Sequence, residues 1–151
     1  MTGQSNLQSI EEIKQLKYRF CLALDSGDWE ELANILTEDI TLTFSREGLG
    51  TYQGISELEL FKETIEQNRT FMVHMVTNPI INVEGESATG KWYYIVTLTD
   101  ENHEAFWSQG IYDDVYRKLD GEWKIHRTEV TYNFIVPYSE GWSNRILTEE
   151  F

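Results

Sequence analysis

The chain has 151 residues, 40% of them hydrophobic and 25% charged, with a formal net charge of −14. That length supports one hydrophobic core without disulfides or metals, so a single domain over residues 1–151 is expected. So negative a surface repels phosphate backbones and anionic membranes, which argues against nucleic acid or membrane as a partner.

Cys21 is the single cysteine, so no intramolecular disulfide can form, and its helical context reads as a small buried hydrophobe. The opening residues Met1 to Asn6 carry neither a basic region nor an apolar run. No signal peptide or bilayer-spanning stretch is expected, and the cytoplasm is the expected compartment.

Ser9 and Glu12 have the spacing of a capping box. Behind them Ile10, Ile13, Leu16, Phe20 and Leu24 recur as one apolar helix face. Asp25-Ser26-Gly27-Asp28 breaks that helix, and Asp28 with Glu31 can cap a short second one carrying Trp29, Leu32, Ile35 and Leu36. Residues 40–44 alternate as a strand, followed by a short extended piece around Thr51-Tyr52. A box from Ser56 to Glu59 opens a third helix, which ends near Asn68.

Beyond Asn68, Val, Ile, Thr, Tyr and Trp dominate, with turn signals at Glu84-Gly85, Asp100-Glu101-Asn102 and Asp120-Gly121. Four long antiparallel strands are predicted at about 71–83, 87–99, 104–118 and 122–135, with a bulge or bend at Pro79. The segment after Pro137 reads as irregular. Helices first and a meander afterwards give an α+β fold, a curved, mostly antiparallel sheet wrapped around N-terminal helices. The run from Lys91 to Val96 is bulky on both faces. One face should meet the helices and the other a second subunit, so a homo-oligomer is expected.

Of the three histidines, His103 falls in a hairpin turn and His126 sits between Lys124 and Arg127 on the last strand. His74 differs, because Phe71, Met72, Val73, Met75 and Val76 surround it. A buried histidine needs a hydrogen-bond partner, and a carboxylate in that role would fix its tautomer for general-base work. Asp25, where the first helix turns beside the core, is the best-placed carboxylate. Taken separately, Asp25 reads as a turn aspartate and His74 as a satisfied core histidine. Tyr18, Tyr94, Tyr112 and Tyr132 are candidate pocket phenols, each also readable as a packing residue. There is no phosphate-binding glycine loop, nucleophile elbow or metal-ligand spacing, so neither cofactor nor metal is expected.

Several runs resemble SnoaL-like members of the nuclear transport factor 2-like superfamily. They are Ile13 to Leu16 through Leu24-Asp25-Ser26-Gly27-Asp28-Trp29, Gly50 to Gly54, His74-Met75-Val76-Thr77-Asn78-Pro79, Ala88 to Tyr93, and Tyr112 to Tyr116 with Asp120 to Ile125. The resemblance implies a cone-shaped α+β barrel whose helices close a pocket over the sheet. It also implies a pairing of Asp25 with His74, as in the dehydratases and dehydrochlorinases of that superfamily, where a histidine abstracts a proton and an aspartate orients it. Those relatives have a lysine or tyrosine where this chain has Phe20, and a second acid or histidine near Val96. Arg127 or Tyr132 would fill the position of a helping arginine on the last strand.

Asp25 and His74 are therefore the expected catalytic pair, and Phe20, Leu24, Trp92, Tyr94, Val96, Tyr112 and Tyr132 the expected pocket residues. The implied activity is a cofactor-independent lyase (dehydratase or dehydrohalogenase type) or isomerase acting on a small, mostly apolar, cyclic molecule. The alternatives are a non-catalytic small-molecule binder and an oligomerisation domain of the same fold. By the same resemblance a trimer is expected in preference to a dimer.

Overall fold

The structure, a computed structural model, describes residues 3–46 and 49–143. Three helices precede most of the sheet: α1 (Gly3–Ser26), α2 (Trp29–Ile35) and α3 (Leu58–Asn68), the last entered through a 3-10 turn at Ile55–Glu57. The strands are β1 (Leu36–Phe44), β2 (Gly50–Gln53), β3 (Phe71–Glu84), β4 (Ser87–Thr99), β5 (Ala105–Leu119) and β6 (Glu122–Pro137). The four long strands match their sequence expectations to within two residues at either end.

The helix starts differ from expectation. Helix α1 begins at Gly3, so Ser9 lies inside it, buried, and caps nothing. Ser56 likewise falls within the 3-10 turn, and α3 has no side-chain cap. Glu57 does a related job, its carboxylate accepting from the Gln53 N–H at 2.6 Å. The Asp28 cap does form, accepting from the Glu31 N–H at 3.0 Å. The chain reaches extended geometry at Leu36, earlier than expected, because β1 runs parallel beside β6 from Leu36 opposite Ile125 onward.

Strand order in the sheet is β2-β1-β6-β5-β4-β3. Only the β1–β6 pairing is parallel. The sheet does not close, which leaves β2 and β3 as edges. The expected irregularity at Pro79 is a register shift between Thr77 and Ile80, with Asn78 at φ 52°. The β5–β6 hairpin turns on Asp120 and Gly121, both with positive φ, as a two-residue turn between twisted strands requires.

Burial alternates strictly along most of β4. Ala88, Gly90, Trp92, Tyr94, Val96 and Leu98 face the helices, and Tyr93 and Ile95 face out. The inner face meets Ile13, Leu16, Phe20 and Leu24 of α1 and Phe61 and Ile65 of α3 to form the core. The outer face carries Val73, Met75, Tyr93 and Ile95, all exposed.

Candidate functional site

Helix α1 ends against β3, an edge strand, and that contact brings residues 25 and 74 together. The His74 ring Nδ1 lies 2.6 Å from Asp25 Oδ1, and the His74 backbone N–H donates to Asp25 Oδ2 at 2.9 Å. One carboxylate therefore grips both the ring and the backbone of a single residue. With Asp25 accepting, Nδ1 carries the hydrogen and Nε2 is left as the acceptor nitrogen. His74 is on the wall of a chamber between α1, α3 and the sheet.

Phe20, Leu24, Tyr94, Val96, Tyr112 and Tyr132 all line this chamber with His74, and Asp25 stands behind the imidazole. The rings interlock: Tyr94 packs on Tyr112 at 4.9 Å between centroids, Tyr132 meets Tyr94 edge-on at 6.2 Å, and Phe44 stacks on Phe61 at 5.4 Å. Free space within is only about 30 Å³, against the several hundred usual for a drug-sized ligand. Arg69, Leu49, Leu98 and Ile135 line both this chamber and an outer recess of about 240 Å³, and make the boundary, or throat, between the two.

Burial raises the Tyr94, Tyr112 and Tyr132 phenols above their ordinary value of 10.0. They stay protonated at neutral pH and can donate hydrogen bonds into the chamber. Gly110 makes room for one of them. Any side chain there would strike the Tyr94 hydroxyl and the Thr131 carbonyl.

Two sequence expectations are corrected. Trp92 is fully buried but does not line the chamber. Its ring packs edge-on against Tyr18 and its indole N–H donates to the Tyr116 hydroxyl at 3.0 Å. Arg127 lies outside as well, 3.9 Å from Asp113 on the exposed side. Sharing an inward face was right for Trp92, but it sits further along β4 than the pocket reaches. His126 is held by Thr37 and Asp39, and His103 is exposed in its turn.

Sequence reading missed Arg69, Met72 and Ser108 in the chamber wall. It also missed a buried ion pair, Lys17 Nζ to Asp114 Oδ2 at 2.9 Å, with no exposed side-chain surface on either partner. The approach is too angled for a hydrogen bond. The ammonium instead sits 3.5 Å from the centre of the Tyr112 ring. Asp114 Oδ2 also accepts from the Tyr116 hydroxyl at 2.7 Å. The signal for this pair was present. Lys17 falls on the helix face of Ile13 and Phe20, and Asp114 alternates with Tyr112 and Tyr116.

An open cone of sheet and helices with an Asp–His pair between the first helix and an edge strand defines a small α+β cone-fold domain. The model of the SnoaL-like domain matches residues 5–129, and the chain belongs to that family. Among solved structures, it is similar to hexachlorocyclohexane dehydrochlorinase LinA-type3 from Novosphingobium barchaimii LL02, at 22% identity and a TM-score of 0.82 over 90% of this chain and 94% of that one. It is also similar to a function unknown protein from Mycobacterium tuberculosis, at 26% identity and a TM-score of 0.74 over 88% and 76% of the two chains. A nuclear transport factor 2-like superfamily protein from Salmonella enterica serovar Typhimurium aligns at 18% identity and a TM-score of 0.72 over 81% and 89%. Among the described residues, no helix is long and apolar enough to cross a membrane.

Proposed function

We propose that the protein is a cofactor-independent lyase or isomerase for a small, mostly apolar molecule, with His74 as general base and Asp25 as its orienting carboxylate. The observation that carries this reading is the 2.6 Å contact from Asp25 to Nδ1 of a histidine that lines the chamber, which leaves Nε2 as the nitrogen free for a substrate. Nε2 takes a proton from a substrate carbon, and Asp25 stabilises the imidazolium that results. In an elimination the released electron pair forms a double bond as the leaving group departs from the neighbouring carbon. In an isomerisation the same proton returns at another carbon. The protonated phenols of Tyr94 and Tyr132 stand ready to donate to the oxygen or leaving group that gains charge.

The test is solvent deuterium exchange into a panel of halogenated, hydroxylated and keto ring compounds, followed by mass spectrometry. Exchange reports proton abstraction even where no leaving group departs. Wild type should label at least one compound, and His74→Ala should reduce that rate by at least about 100-fold. Equal labelling by wild type and a folded His74→Ala protein would falsify the base assignment.

The reading includes a homo-oligomer, with a trimer favoured. What supports it is the row of exposed Val73, Met75, Tyr93 and Ile95 on the outer sheet face. Light scattering of dilute protein should return a multiple of the 17.7 kDa chain mass, and a pure monomer would end that part of the proposal.

A further inference from the structure

Among the described residues, Arg19, Arg117 and Arg127 each reach a carboxylate. Arg46 and Arg69 pair with none, and both face the outer recess. Arg69, the residue that follows α3, also lines the inner chamber, so it stands in the throat between the two spaces. Among the described residues, the only hydrogen bond its side chain makes is a weak one, from Nη1 to the Met72 sulfur at 3.3 Å. Desolvation pushes its guanidinium below the ordinary value, and the charge of Arg46 adds to that effect. A half-buried cation repelled by a second cation is an arrangement that an anion would relieve.

The chamber offers a second unfilled group. Among the described residues, the Tyr94 hydroxyl is buried on the wall beside Ser108 and makes no hydrogen bond of acceptable geometry. Among the described residues the recess also holds two acids, Asp100 and Glu101. Asp100 Oδ1 accepts from the N–H groups of Asn102 and Glu104, both at 2.9 Å, and Glu101 is exposed. In a chain of net charge −14, the Arg46 and Arg69 guanidiniums offset the Asp100 and Glu101 carboxylates that share the recess, which leaves it without the negative excess of the surface at large.

We infer that the throat is a carboxylate-binding subsite, and that the substrate is a small organic acid anion held there by Arg69 with Arg46 on the outer side. Its carbon skeleton extends past the throat towards His74. The inner chamber's small free volume limits that portion to a few carbons or a single ring seated by rotation of the aromatic walls. This extends the proton-abstraction reading of the same chamber by naming its substrate class, yet it stands on binding alone.

The experiment is equilibrium titration by calorimetry with four probes: benzoate and cyclohexanecarboxylate, and their neutral counterparts benzamide and cyclohexanecarboxamide. At least one acid should bind about 10-fold or more tightly than its amide, as loss of a charged hydrogen-bonded contact implies. That preference should weaken in high salt. Arg69→Met, which keeps the stem's volume, should erase the preference. Arg69→Lys should keep part of it, and Arg46→Gln, at an exposed position, should reduce it by a few-fold. Equal affinity for acids and amides, no binding of any probe, or a preference that survives Arg69→Met in folded protein would overturn the inference. His74→Ala separates this proposal from the previous one. The acid preference should persist in that variant, so a protein that shows the preference but never exchanges deuterium would lose only the base assignment.

Discussion

Helix α1 presents two acid–base partnerships to the sheet, eight residues or about 12 Å of helix apart. Lys17 meets Asp114 with both side chains fully enclosed, whereas Asp25 meets His74 with 15% and 7% of their side-chain surfaces still open. The chemical ingredients are alike, an acid and a base about 3 Å apart or closer. What differs is vacant space. Around Lys17 no surface is open to solvent: the Tyr112 ring lies against the ammonium, and Tyr116, tied to Trp92, donates to Asp114 Oδ2. Around His74, one ring nitrogen is spent on Asp25, and the residue lines a chamber. A pair sealed from solvent on all sides holds the fold in one arrangement, while a pair beside a cavity can do chemistry.

The largest effects should come from breaking the enclosed pair. Lys17→Met leaves Asp114 buried without its cation and should cost about 3–5 kcal/mol in denaturant unfolding. Adding Asp114→Asn should recover much of that loss, since an amide can still accept from the Tyr116 hydroxyl. A double variant as unstable as the single one would show that the packing of Lys17, rather than its charge, matters. The open pair should reverse the balance between stability and activity. His74→Ala is expected to cost only about 1–2 kcal/mol, because Asp25 stays partly solvated, and to abolish deuterium exchange. A collapse of the fold in His74→Ala would erase the distinction between the two pairs.

Both regions share buried phenols, and alkaline pH tests them together. Burial raises Tyr116 beside the enclosed pair, Tyr94, Tyr112 and Tyr132 around the chamber, and Cys21, the last to about 12 from its ordinary 9.0. With folded-state values raised, the unfolded chain releases these protons first. Their contribution to stability is complete below the unfolded values of 9.0 and 10.0, and is lost as pH climbs beyond them. Urea midpoints should carry no cost from these groups between pH 7 and 9 and should fall above that, and a midpoint still constant at pH 11 would contradict this account. A smaller observable lies between the two pairs. Cys21 should resist iodoacetamide at pH 8 in native protein and react on unfolding, since the thiolate is the attacking form. The smallest effect belongs to the surface, where Arg19→Ala, losing the exposed pair with Glu31, should shift stability by no more than about 0.5 kcal/mol.

How legible each part was follows from how far its cause extends along the chain. The long strands were readable because period-two alternation and the turns at Gly85 and Asp120-Gly121 are local signals. The helix starts at Ser9 and Ser56 were misplaced, because a capping pattern constrains only four residues, while α1 already runs from Gly3 and a 3-10 turn leads into α3. The inward face of β4 was readable from alternation. Where the chamber ends along it was not, so Trp92 was assigned to the pocket when it packs against Tyr116. Arg69 had no sequence signal at all. It follows a helix that stops at Asn68, and only the path into β3 turns it to the cavity.

The double grip of Asp25 on His74 reaches beyond the chamber. β3 lies at the margin of an open sheet, and an unsatisfied N–H along such a margin is a template for another chain's strand. Asp25 Oδ2 occupies one such donor from the helix side. The carboxylate that orients the imidazole thus also seals a stretch of exposed backbone against self-association. Losing it entirely, as in Asp25→Ala, should favour aggregation as well as disturb the histidine, whereas Asp25→Asn keeps an acceptor for that amide.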